Sequence, residues 1–196
     1  MPCLRSFAPL AATSTQQYAA VTVSDLPPNG LAHLTETQGA KPDPVGSRAA
    51  IAMTGQGVFS FGTGTDWGSN FTDYMTSQSF TYRGSGPRVT HIYVLPTSPT
   101  QERDIRAYLD SIRNKPMPDD KAWNHPLQSF NDNCASRISD ASVAGGEKFL
   151  RGANTPGKLI LFLEEQVKAG KAIRIDVPKT PSSMPLMLQR FDPTRP

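Results

Sequence analysis

Cysteine and histidine are scarce in this 196-residue chain: two of the first, Cys3 and Cys134, and three of the second, His33, His91 and His125. Two cysteines make no disulfide framework, and there is neither a C-x-x-C pair nor an H-E-x-x-H helix signature. A metal centre has little to be built from, and no cofactor is expected. Long apolar runs are missing too. The longest, KLILFLEEQV, is far short of the roughly 20 residues needed to span a bilayer. The opening MPCLRSFAPLAATST has an arginine and small residues but no continuous apolar stretch, so no secretory signal is expected. Charge of one sign is also lacking: 20 Lys and Arg stand against 17 Asp and Glu, with no basic run, so nucleic acid is not demanded as a partner. A pI near 8.9 leaves room only for weak attraction to an anionic wall or membrane surface.

What the chain does have is glycine and proline, 15 and 18 of them, which point to short elements joined by many turns. Residues 1–25 read as a loosely ordered lead-in, residues 26–177 as one α+β domain, and residues 178–196 as a Pro-rich tail that is not expected to form a regular element. LAHLTET alternates as a strand with Leu31, His33 and Thr35 on one face, and RAAIAMTGQGVFSFG reads as a hairpin about TGQG. TGTDWGSN is expected to be a loop, with Trp67 a candidate groove wall. RVTHIYVLP, rich in β-branched residues, is the clearest strand, and TSPTQERDIRAYLDSIRN is the clearest helix. Ser98 sits at its cap, Pro99 at its first position and Gln101 at capping-box spacing; Ile105, Tyr108, Leu109 and Ile112 form its apolar stripe. A further helix follows Thr155–Pro156, and KAIRIDV alternates as a last strand. The expectation is a small antiparallel sheet followed by helices.

One segment carries chemistry. In SFNDNCASRISDASVAGG, Asn131, Asp132 and Asn133 are turn and N-cap residues, and Gly145–Gly146 is a helix stop. Cys134 therefore falls in the first turn of a helix, where the partial positive charge of the N-terminus favours thiolate over thiol. The plain alternative is a cysteine acting as a small buried hydrophobe.

The order of these elements, a hairpin ending in VFSFG, a strand, a capped TSPTQERDIRAYL helix and then NDNCASRISDA, resembles the circularly permuted members of the NlpC/P60 papain-like superfamily over roughly residues 30–146. Such proteins include type VI secretion effectors that attack peptidoglycan, and lipid acyltransferases. The resemblance implies a papain-like fold in which Cys134 is the nucleophile, a histidine shuttles its proton, a third polar residue orients the imidazole, and backbone N–H groups near the helix start hold the oxyanion. The family's histidine position at the start of the first hairpin strand is here GSRAAIAM, with Ser47 and Arg48, and arginine does not deprotonate to serve as a base. The base is therefore sought at His33, on the preceding strand, with His91 as the alternative base and His125 behind it. Ser60 occupies the strand where the family's orienting residue falls.

The implied activity is a cysteine peptidase or amidase cleaving an amide in peptidoglycan stem peptides, as an antibacterial toxin. It would leave its cell by a dedicated secretion system and act in the target periplasm; a cytoplasmic location is the alternative. An immunity or secretion-machinery protein is the implied partner. An acyl-ester or lipid hydrolase with the same Cys–His chemistry is the close alternative. A wall- or partner-binding module that lost its base, docking through MPLML, is the alternative from another class.

Overall fold

The structure, a computed structural model, describes residues 29–37, 48–61, 66–76, 89–115, 132–178 and 186–194. The lead-in, Cys3, Ser47, His125 and the first two residues of MPLML lie outside the described residues.

Six strands form one antiparallel sheet: β1 (Gly30–Thr37), β2 (Arg48–Met53), β3 (Gly57–Ser60), β4 (Asp66–Ser69), β5 (Val89–Pro96) and β6 (Ile173–Pro178), in the order β4-β3-β2-β1-β5-β6. The helices are α1 (Phe71–Thr76), α2 (Pro99–Ile112), α3 (Cys134–Ala144) and α4 (Pro156–Lys168), with 3-10 turns at Lys148–Leu150 and Leu186–Phe191. The architecture is thus mixed α+β. The sheet is not finished before the helices begin, because its last strand arrives only after α4 and pairs with β5.

Strand alternation divides the core into two layers. Leu31, Ile51, Met53, Phe59, Tyr93 and Leu95 point to the face covered by Ile105 and Leu109 of α2, Ala135, Ile138 and Ala141 of α3, and Leu159 and Leu163 of α4. Ala32, Leu34, Ala52, Val58, Ile92, Val94 and Val177 point to the other face, covered by Phe71 and Tyr74 of α1 and by Leu188 and Phe191. Burial on both faces explains why RAAIAM and VFSF read as continuous apolar runs and not as alternating ones.

Two segments differ from expectation. DWGS, in the stretch expected to be a loop, is strand β4, paired with β3 across a register shift at Val58–Phe59. The pairing works because Gly57, at positive φ, lies against the Gly68 backbone, where any Cβ would collide. The end of the chain also packs: Leu188 and Phe191 are buried, the Gly55 N–H donates to the Arg190 carbonyl (2.9 Å), and Asp192 Oδ1 accepts from the Phe71 N–H (2.6 Å). Each such burial contributes roughly 1.5–3 kcal/mol. Residues 186–191 are therefore a strap over the second sheet face, and at least Leu188 of the MPLML stretch is occupied within the fold.

Candidate active site

The start of α3 is built by a short-range cap. Asn133 is extended, and its Oδ1 accepts from the N–H groups of Ala135 (2.9 Å) and Ser136 (3.1 Å), while the Asn133 N–H donates to Ser136 Oγ (2.8 Å). The Asn133 amide also donates to the Asn154 carbonyl (2.8 Å), tying this turn to the segment that leads into α4. Cys134 follows as the first helical residue, its half-buried thiol in no disulfide and packed against the helix-side core. Charged side chains of both signs stand nearby. Arg137 grips Asp132 through Nε (2.7 Å), and Lys115 approaches the same carboxylate (3.5 Å). The hydrogen bond from Arg137 is the chief reason the Asp132 carboxyl stays below its ordinary range. Arg137 and Lys115 thus share the Asp132 carboxylate beside the helix terminus.

The direction of α3 across the sheet follows from its two ends. Gly145, at its C-terminus, abuts Ile105 and the Gln101 carbonyl in the first turns of α2, which starts just beyond the end of β5. Arg137, one turn into α3, stands over the Phe61 ring at 5.0 Å. Phe61 follows Ser60, which pairs with Ala50, so it borders the row Ala49–Thr35–His91–Asp176 across β2, β1, β5 and β6. The N-terminal turn of α3 therefore lies toward the His91 end of the helix-covered face.

At that end is a polar assembly. His91, fully buried, sits with Nδ1 2.8 Å from Asp176 Oδ1 on the neighbouring strand. Arg174 donates from Nε to the same oxygen (2.8 Å) and from Nη2 to Asp176 Oδ2 (2.7 Å), and its Nη1 reaches Glu164 Oε1 on α4 (3.2 Å). The Tyr93 hydroxyl donates to that Glu164 oxygen at 2.8 Å. Burial opposes ionisation of Asp176, but the hydrogen bonds from His91 and Arg174 outweigh it and hold the carboxyl below its usual range. An ionised carboxylate only accepts, so His91 Nδ1 is the donor in this pair.

His91 is the histidine of that assembly and His125 lies outside the described residues; His33 and Ser60 are placed as follows. His33 shares the helix-covered face, flanked by Ile51 and Tyr93, but neither ring nitrogen has a hydrogen-bond partner, and burial lowers its pKa to about 3. No carboxylate or amide orients it. Ser60 is carried by strand alternation to the opposite face, with Ala50 and Val58, so it meets neither imidazole, and its Oγ is buried without a partner. Sequence reasoning missed Asp176, Arg174 and Glu164. The one signal for the first two was that in KAIRIDV both charges fall on the same alternate positions. Arg48 begins β2, beside β1 and two strands from His91. Ala135 and Ser136 N–H groups are committed to Asn133, so these two amides are not available as oxyanion donors.

Among the described residues, no cluster of three or more His, Cys, Asp and Glu could hold a metal ion, and no helix is long and apolar enough to cross a membrane. No family model matches the chain, and no curated protein or solved structure is similar to it.

Proposed function

We propose that this chain is a cysteine hydrolase that works through Cys134, His91 and Asp176. The observation that carries the reading is the 2.8 Å His91–Asp176 pair on the helix-covered face of the sheet, the side on which Cys134 also packs. In the reaction, His91 Nε2 takes the Cys134 proton as Sγ attacks an acyl carbon, and then gives that proton to the leaving group. Water hydrolyses the thioester in a second step, with the same nitrogen as base. Asp176 keeps the imidazole in the Nδ1–H tautomer and balances the imidazolium that forms.

His91 takes the place proposed for His33 because a base must be oriented and able to take a proton. His33 is unpartnered, and burial opposes its charging. As for substrate, the resemblance of NDNCASRISDA and the elements before it to permuted NlpC/P60 effectors favours amide bonds of peptidoglycan stem peptides and an antibacterial role after delivery by a secretion system.

The test is incubation of the purified chain with peptidoglycan sacculi and, in parallel, with phospholipid vesicles. Release of free amino groups from sacculi, absent in Cys134→Ala, is the expected result. Fatty-acid release from vesicles would keep the chemistry and change the substrate class to an acyl ester. Turnover of either substrate that persists in Cys134→Ala would sink the nucleophile.

A further inference from the structure

Arg174 is an expensive residue to place where it is. Its side chain is only 8 % exposed, and it lies between two acids, Asp176 and Glu164, on a strand whose neighbouring positions are Ile173 and Ile175. Taking a guanidinium largely out of water beside two carboxylates that keep 23 % and 22 % of their exposure carries a desolvation cost, and such an ion cluster is often no more stable than an apolar replacement. Stability alone is therefore a poor reason for this arrangement.

Its geometry supplies another. Arg174 holds both oxygens of Asp176 with two N–H groups, 2.8 and 2.7 Å long, so the carboxylate cannot rotate without breaking both bonds. That fixes Oδ1 where it meets His91 Nδ1. The guanidinium Nη2 also lies 3.4 Å from His91 Nδ1. Both atoms are donors when Asp176 is ionised, so this approach is tolerable only while the carboxylate lies close to both. Glu164, bonded by Tyr93 as well as by Arg174, anchors the far side of the guanidinium to α4.

We propose that Arg174, anchored by Glu164 of α4, is a positioning residue that locks Asp176 and thereby sets the tautomer of the His91 base. The proposal deepens the Cys134–His91–Asp176 reading and rests on it for its catalytic meaning. It extends the proposed assembly from Cys134, His91 and Asp176 to Arg174 and Glu164, so that α4 contributes without touching the substrate.

The experiment is nitrogen-15 NMR of the histidine side chains in the full chain, alongside iodoacetamide alkylation of Cys134 in a Cys3→Ser background. The unmodified chain is expected to give a protected His91 Nδ1–H resonance, identified by its loss in His91→Gln. In Arg174→Gln that resonance should disappear and alkylation at pH 7 should fall about tenfold or more, as when the group behind a working histidine is removed. Arg174→Lys should restore both in part, since a point charge can hold the carboxylate but cannot fork it. Persistence of the resonance and rate in folded Arg174→Gln would overturn the proposal. Should Arg174→Gln fail to fold, the decision passes to Glu164→Gln: a weakened resonance supports the lock, and an unchanged one overturns it. Failure of the hydrolase reading looks different. Cys134 would alkylate as an ordinary thiol while the His91 resonance still answered to Arg174.

Discussion

His33 should make the protein acid-sensitive, by an amount that follows from its place in the sheet. Its imidazole lies buried between Ile51 and Tyr93 with neither nitrogen hydrogen-bonded, and burial lowers its pKa from 6.5 to about 3. The sign follows from proton binding. Above pH 6.5 the imidazole is neutral in both states and costs nothing. Below 6.5 the unfolded chain takes up a proton that the native chain refuses until about pH 3, so stability falls as pH falls through that window. At 1.36 kcal/mol per pH unit, the penalty reaches about 2 kcal/mol by pH 5. The perturbation is His33→Leu, which removes the titration along with two unsatisfied nitrogens and roughly conserves volume. Urea unfolding followed by tryptophan fluorescence at pH 8 and pH 5 gives the stability lost on acidification for each protein. Every other titrating group is common to both, so the difference of the two losses isolates His33. The variant should lose about 2 kcal/mol less than the parent. Equal losses would refute the claim that this imidazole is buried and unpartnered, and would reopen its candidacy as the base.

Other consequences follow from the same structure. Asp176→Asn should leave the fold standing, because an amide can still bond Arg174, yet lower hydrolysis by a factor on the order of a hundred or more, since the amide no longer enforces the His91 tautomer; steady-state rates beside a thermal melt separate the two effects. Leu188→Ala should cost about 2–5 kcal/mol by denaturant titration, because Leu188 fills the second core layer; a cost near zero would mean residues 186–191 do not strap the sheet. Gly145→Ala should destabilise the packing of α3 on α2, as its Cβ would enter the space of the Ile105 side chain, and in a double-mutant cycle the loss should be smaller in an Ile105→Ala background, which removes both clashing atoms.

Local features of this fold were legible in the sequence, and long-range ones were not. The α3 cap was visible because Asn133 acts on amides two and three residues away, and the Ser98–Pro99–Gln101 start of α2 was visible for the same reason. Strand β4 was hidden because Asp66, Gly68 and Ser69 are poor strand formers, and its pairing depends on the close approach of Gly57 to Gly68. His33 is a candidate base from sequence because it lies on the strand beside the hairpin. What distinguishes His91 is a carboxylate 85 residues away on a strand that joins the sheet after α4, a relation set by sheet order and register. Ser60 lies away from both imidazoles for a simpler reason: a strand's period of two turns it to the far face.

The central claim is that Cys134 works with His91 and not with His33. The direct measurement is the rate of Cys134 alkylation against pH in a Cys3→Ser background, for the parent chain, His91→Gln and His33→Leu. The account predicts a parent thiol that stays reactive well below pH 8, an ordinary thiol profile centred near pH 8.5 in His91→Gln, and a parent-like profile in His33→Leu. A profile lost in His33→Leu and kept in His91→Gln, or an ordinary thiol in the parent, would contradict it.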